Sequence, residues 1–358
     1  MNHQLYMQRC IELAQNGLGT TYPNPMVGSV IVHNGKIIGE GWHQKSGEPH
    51  AEVNAVNAVK DKSLLKEATI YVSLEPCSHF GKTPPCCDLI IAHQIPNVVV
   101  GCVDPNEKVA GSGIAKLKAS GKNVIVGVLE KECRELNKRF FTFHNRKRPY
   151  IILKWAESAD GLIAPKKRYE QKPVWISGIY ARQLVHKWRS KEQAILVGTQ
   201  TVVDDNPKLD VRDWSGPNPV RLVIDKSNRI SKESYIFDSQ VRTIVFGEND
   251  FDWKKDNVDW IAIDFAAQKV TGLNPVEVTA IPQQIADVLY RQNLQSVIVE
   301  GGRQTLQSFI DSGLWDEARV FKSPIVLGDG IPAPDFNANW QHRQTIGSDE
   351  LLIFRQYD

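Results

Sequence analysis

Three short segments of this chain carry the side-chain types that hold a catalytic metal. His50 opens a His-Ala-Glu triplet that ends at Glu52, Cys77 follows Glu75-Pro76, and Cys86 follows Pro84-Pro85. One imidazole and two thiolates are donors that zinc accepts, and three protein ligands leave the fourth tetrahedral position open for water. A structural site would bring a second close cysteine pair as well, and none is present at this point of the sequence. Glu52 stands too close to His50 for a comfortable fourth ligand. It is well placed to carry protons between water and a leaving amine. His-x-Glu followed by Pro-Cys and a second cysteine is the pattern of zinc deaminases. Eight residues rather than two separate the cysteines here, so residues 78–85 are expected to loop out toward the substrate. Other soft divalent ions would also accept this donor set.

The elements around these residues read as alternating helices and strands. Tyr6, Cys10, Leu13 and Ala14 have helical spacing, with Gly17 as a stop. Residues 26–33 and 36–41 are strand-like and flank Asn34-Gly35, a strong hairpin signal. A helical pattern through Val53, Val56 and Val59 follows His50 and puts the ligand at a helix N-terminus, where the dipole favours anionic groups nearby. Strands are predicted at 69–74, 98–103 and 124–128, with a helix at 88–93. Cys10, Cys102 and Cys133 lie in apolar segments and read as small core residues, and Cys87 as a helix residue.

The segment Asn145-Arg146-Lys147-Arg148-Pro149 breaks the pattern and reads as a solvated linker. A second alternating series begins at Tyr150, with strands predicted at 150–156, 194–197, 221–225, 243–246, 296–300 and 319–321. Ser177 is the expected N-cap of an amphipathic helix that carries Ala181, Leu184, Val185 and Trp188 on one face. Two domains follow, 1–146 and 147–358. In the second, Glu300-Gly301-Gly302-Arg303 joins a strand to a helix, and such a turn lets backbone N–H groups approach a phosphate. The glycine spacing is not that of a Rossmann fingerprint.

Composition bounds the partners. The 358 residues carry 43 basic and 41 acidic side chains, a net charge of +2, which argues against dedicated nucleic-acid or membrane binding. No apolar run approaches a membrane span, and the first ten residues contain Gln4, Gln8 and Arg9 where a signal peptide would be apolar. A cytoplasmic protein with reduced thiols is the expectation.

Three motifs narrow the chemistry: T-Y-P-N-P-M-V-G at 21–28, G-E-P-H-A-E at 47–52 and E-P-C-S-H-F-G-K-T-P-P-C at 75–86. They resemble the bifunctional deaminase-reductases of riboflavin biosynthesis, in which the long cysteine spacing is usual. The resemblance implies an N-terminal cytidine-deaminase-like three-layer α/β/α domain followed by a dihydrofolate-reductase-like α/β domain. The first would remove an amino group from the ring of a 2,5-diamino-6-ribosylamino-pyrimidinone 5′-phosphate. It implies zinc on His50, Cys77 and Cys86, Glu52 as proton carrier, and substrate contacts from Asn24, His79, Lys82 and Asn106.

In the second half, K-W-A-E-S-A-D-G at 154–161, G-T-Q-T-V-V-D-D-N-P at 198–207, residues 209–212 and V-E-G-G at 299–302 resemble the family's reductase domain. That domain uses NADPH to reduce the ribosyl group of the deaminated product to ribityl. The resemblance implies that Ala156, Trp175, Thr201, Asp205, Gly302 and Arg303 line the NADPH site. It places Arg189, Leu209, Arg212 and Glu300 at the substrate, the two arginines suiting its phosphate. Pro173-Val174 stands before Trp175 where the family often has a serine, so one hydroxyl contact is missing or replaced. Small pyrimidine ribotides as substrates and a dimer or larger homo-oligomer are further implications. The competing enzyme reading is a tRNA-type nucleic-acid deaminase with an auxiliary C-terminal domain. Such an editor would call for a basic, aromatic-rich surface. A binding module with a structural zinc is the reading of another class, and it would have no need of Glu52.

Overall fold

A computed structural model describes residues 2–80, 84–106, 110–248, 253–266 and 280–356. The chain divides into two compact units, Met1–Lys147 and Arg148–Asp358.

The first unit runs α1 (His3–Ala14), β1 (Gly28–His33), β2 (Lys36–Trp42), α2 (Ala51–Ala58), β3 (Thr69–Leu74), α3 (Cys86–Ala92), β4 (Asn97–Cys102), α4 (Ser112–Ala119), β5 (Asn123–Val126), α5 (Glu130–Leu136) and α6 (Lys138–Arg146). Its sheet has the order β2-β1-β3-β4-β5, antiparallel in its first two pairings and parallel in the rest. Side chains alternate across a strand, so consecutive residues serve opposite faces. Ile70 and Val72 pack with Ala55 and Val56 of α2 and Ile90 of α3. Tyr71, between them, packs with Met7 and Cys10 of α1 and Phe141 of α6. These two cores on one sheet make the three-layer α/β/α sandwich. Asn34 and Gly35 both have positive φ, 47° and 74°, which a two-residue hairpin turn demands.

The second unit runs β6 (Tyr150–Glu157), β7 (Leu162–Pro165), α7 (Ile179–Arg189), β8 (Ala194–Gly198), α8 (Thr199–Asp205), β9 (Val220–Ile224), β10 (Thr243–Gly247), β11 (Val258–Ala262), α9 (Ile281–Arg291), β12 (Ser296–Val299), α10 (Arg303–Asp311), β13 (Glu317–Lys322), β14 (Gly330–Pro332), β15 (Trp340–Ile346) and β16 (Asp349–Arg355). Among the described residues nine strands form one sheet, β11-β10-β9-β8-β12-β6-β13-β16-β15, parallel except where β16 pairs with β13 and β15. The chain moves outward from β8 to β11, then returns to insert β12 between β8 and β6. That reversal leaves a crevice at the carboxyl ends of these three strands, the place where open α/β sheets bind ligands. Ile151 and Leu153 face Leu289 of α9 and Phe309 of α10, while Ile152 turns to the other face.

Two expectations need correction. Residues 145–149 are a solvated linker only in part: Asn145, Arg146 and Lys147 are exposed at the boundary between the units, with Asn145 and Arg146 ending α6, but Arg148 and Pro149 are buried. Arg148 is 7% exposed and pairs with both carboxylate oxygens of Asp316, at 2.6 and 2.8 Å. A buried guanidinium is tolerated because the bidentate carboxylate replaces its water. Nor does Ser177 cap α7. The N-cap is Gly178, whose backbone N–H donates to Asp349 Oδ2 at 2.7 Å, so the cap is supplied from β16. Among the described residues no helix is long and apolar enough to cross a membrane.

Candidate active sites

In the first unit, two helix starts and one strand end meet. His50 is the extended N-cap of α2, Cys86 is the first residue of α3 behind the Pro85 N-cap, and Cys77 lies just past β3. His50 Nδ1 stands 3.6 Å from Cys77 Sγ and 3.3 Å from Cys86 Sγ. All three donor atoms lie within 4.8 Å of one another. Tetrahedral ligands at ordinary Zn–N and Zn–S lengths would sit about 3.5 Å apart, so this donor set fits zinc. Donation from the Cys86 thiol, then from His50, holds Cys77 well below the ordinary thiol range. The same hydrogen bond and burial push Cys86 up.

Glu52, in the first turn of α2, is 3% exposed. Burial foremost, with the Cys77 charge adding, raises its carboxyl to about 6. A carboxyl so tuned can both take and return a proton near neutrality.

Asn24 and Asn106 are half-buried and His79 is exposed, while Lys82 lies outside the described residues. The loop bearing Asn106 is pinned by a residue that the sequence reading passed over. Glu75, buried beside Cys77, accepts backbone N–H bonds from Asp104 (3.2 Å), Gly111 (2.9 Å), Gly113 (2.9 Å) and Ile114 (3.2 Å). His43 was also missed. It is buried, hydrogen-bonded to Asn24, and edge-on to the His50 ring at 5.3 Å. Burial lowers its pKa from the ordinary imidazole value.

In the second unit a cavity of about 700 Å³ opens at the sheet reversal. Ala156, Trp175, Thr201, Asp205, Gly302, Arg303, Arg189, Leu209, Arg212 and Glu300 all line it, as does Pro173. The two glycines have separate reasons to be there. A Cβ on Gly301 would stand 2.5 Å from Val197 Cα and 2.9 Å from Gly198 N, so only glycine lets the end of β12 approach β8. Gly302 has φ 58°, is the N-cap of α10 and lines the cavity. Trp175 packs under the Arg182 guanidinium, 4.4 Å from its ring centroid.

Arg189 is already hydrogen-bonded within the cavity wall. Its Nε and Nη2 donate to Glu300 at 3.0 and 2.8 Å, and its Nη1 to the Asp210 carbonyl at 3.3 Å. Arg212 is more open: its guanidinium donates to Asp210 at 2.8 Å and its backbone N–H to His186 at 3.4 Å. Lys154, the first residue of the K-W-A-E-S-A-D-G segment, lies 3.9 Å from Glu300 on the cavity wall. Burial alone would raise Glu300, but Arg189 and Lys154 together bring it to about 2. Asp205 pairs with Arg168, and Arg303 with Asp335 at 2.9 Å.

A deaminase-type metal centre on a three-layer unit, followed by a cofactor cavity on a mostly parallel sheet, defines a fused zinc hydrolase and oxidoreductase. Comparison with known proteins specifies it. The cytidine and deoxycytidylate deaminase zinc-binding region matches residues 1–102, and the RibD C-terminal domain matches residues 149–346. The riboflavin biosynthesis protein RibD of Aquifex aeolicus is 36% identical, with 98% of each chain covered. That of Escherichia coli is 37% identical over 92% of this chain and 89% of its own. Among solved structures, a deaminase/reductase from Thermotoga maritima superposes with a TM-score of 0.86 at 36% identity, covering 99% and 98% of the two chains. Acinetobacter baumannii RibD gives 0.85 at 32% identity, covering 99% of both. The chain belongs to the RibD family, the bifunctional deaminase-reductases of riboflavin biosynthesis. Zinc and NADPH are its cofactors, and a nucleic-acid deaminase with an auxiliary domain is not favoured.

Proposed function

We propose that the first unit hydrolyses the ring amino group of 2,5-diamino-6-ribosylamino-4(3H)-pyrimidinone 5′-phosphate. The second then reduces 5-amino-6-(5-phosphoribosylamino)uracil at its ribosyl group. The observation that carries this reading is the convergence of His50, Cys77 and Cys86 beside the buried Glu52. Zinc held by His50, Cys77 and Cys86 would supply activation of water at neutral pH. Glu52 is placed to take a proton from the attacking water and return one to the departing amine, the C–N bond breaking as the C–O bond forms, so that C–NH2 and water become C=O and ammonia. Asn24 and Asn106 hold the ring, and His79 with Lys82 meets the phosphate.

NADPH, when bound in the second unit, would supply the hydride. The Gly301-Gly302 turn and the start of α10 receive its phosphates, with Ala156, Trp175, Thr201, Asp205 and Arg303 around it. Leu209 and the Glu300–Arg189 pair face the sugar, and Arg212 takes the substrate phosphate. The protein works in the cytoplasm as a homo-oligomer, on small molecules rather than nucleic acid.

Mass spectrometry of products from zinc-loaded protein, with and without NADPH, tests this reading. Deaminated ribosyl product without cofactor and ribityl product with it are expected. Intact diaminopyrimidinone ribotide after incubation with folded, zinc-containing protein would refute the substrate assignment.

A further inference from the structure

The side chain of Asn24 is turned by its neighbours, and the turn has a chemical sense. His43 lies at the end of β2 with Nδ1 3.2 Å from the Pro49 carbonyl oxygen and Nε2 3.1 Å from Asn24 Nδ2. A carbonyl oxygen only accepts, so Nδ1 carries the proton of the neutral ring and Nε2 presents its lone pair. Whatever faces Nε2 must donate. Of the two ends of the Asn24 carboxamide only the NH2 can do so, which leaves the oxygen as the end available to a substrate. Among the described residues no donor is bonded to that oxygen.

The backbone holds the same arrangement from both sides. Asn24 N–H donates to the Thr21 carbonyl at 2.8 Å. Two residues on, Met26 N–H and C=O both pair with the buried Asn137 carboxamide, each at 2.8 Å. Pro49, which fixes the histidine tautomer, directly precedes the metal-site residue His50. One short scaffold therefore sets both the metal-site imidazole and the amide beside it.

We infer that His43 is a positioning residue that fixes Asn24 with its carboxamide oxygen presented, so that the deaminase site selects a pyrimidine edge offering an N–H donor there. This rests on the reading of Asn24 as a substrate contact. A ring without a donor at that edge would leave the oxygen desolvated and unpaired, which is how a polar site rejects an analogue.

The test uses the full-length, zinc-loaded enzyme and compares His43→Phe, His43→Gln, Asn24→Ala and the His43→Phe/Asn24→Ala double variant. Zinc content, deaminase kcat and KM, and reductase activity are measured on the same samples. Phenylalanine keeps a ring against His50 but removes the acceptor. Glutamine can accept from Asn24 and donate to Pro49 with its two amide ends. The expected result is full zinc content, a KM raised roughly tenfold in His43→Phe with a smaller change in kcat, and recovery of most of that loss in His43→Gln. Asn24→Ala should raise KM comparably and add little in the double variant, because both changes remove one contact. If Asn24→Ala leaves KM unchanged, the substrate-contact reading fails and the inference falls with it. If Asn24→Ala raises KM but His43→Phe does not, only the positioning role is overturned. Equal losses in His43→Phe and His43→Gln, or zinc loss from both, would make His43 a structural prop and overturn it too.

Discussion

The metal site draws its donors from residues 50 to 86, and its polar groups are settled by nearby backbone: Glu75 by four N–H groups and His43 by one carbonyl. The reductase cavity is assembled from residues 154 to 331, and its central feature is an ion pair between Arg189 and Glu300, 111 positions apart. The first arrangement leaves one carboxyl, Glu52, desolvated and pushed up, ready to exchange protons. The second buries a carboxylate between two cations and pulls it down, so that Glu300 stays charged. Burial therefore dominates at Glu52, where the neighbouring Cys77 charge adds to it, and is overcome at Glu300, where two cations face the carboxylate.

Removing zinc by dialysis against a chelator is the strongest way to separate the two. Deamination should fall to background while NADPH-dependent reduction of supplied aminouracil ribotide continues. Loss of both from protein that stays folded would show that the sites are not independent.

Glu300→Ala should come next, because it strands two buried cations. A destabilisation of about 3–5 kcal/mol is expected, read from the thermal unfolding of the full chain, together with loss of reductase activity. The pH dependence has a definite sign. The folded pKa of Glu300, about 2, lies below the ordinary glutamate value of 4.5. Its stabilisation is thus present above that value and is lost as pH falls from 4.5 toward 2. The Glu300→Ala variant should show a flatter acid limb than the parent, and identical limbs would contradict the pairing.

Gly301→Ala places a Cβ against the backbone of β8. Overpacking of this kind costs roughly 1–3 kcal/mol, and here it should appear as a raised KM for NADPH with deamination untouched. Arg212→Ala should have the smallest effect. About 1 kcal/mol of lost phosphate contact corresponds to a several-fold rise in KM for the reductase substrate, and an unchanged KM would remove Arg212 from the site.

The same contrast decides what was legible in the sequence. The metal donors and Glu52 announce themselves because each sits in a short motif at a helix start or strand end. The strand at 69–74 is an unbroken buried run, and it folds with those bounds. The β15–β16 hairpin escaped notice because β15 is an edge strand, exposed at Trp340 through Thr345, with no alternation to read. Arg148 was read as solvated because its partner Asp316 is 168 residues away. Ser177 lost the cap of α7 for a similar reason, since Asp349 supplies the acceptor from the far end of the chain. His43 carries no motif, and its role exists only once Pro49 and Asn24 close around it.

The most direct test of two consecutive, independent chemistries in one chain is Glu52→Gln assayed on each half-reaction separately. The account predicts zinc content like the parent's, deamination reduced about 10²–10⁴-fold, and undiminished reduction of the aminouracil ribotide. Deamination at the parental rate by the zinc-loaded variant would contradict the assignment of Glu52 and, with it, the mechanism proposed for the first unit.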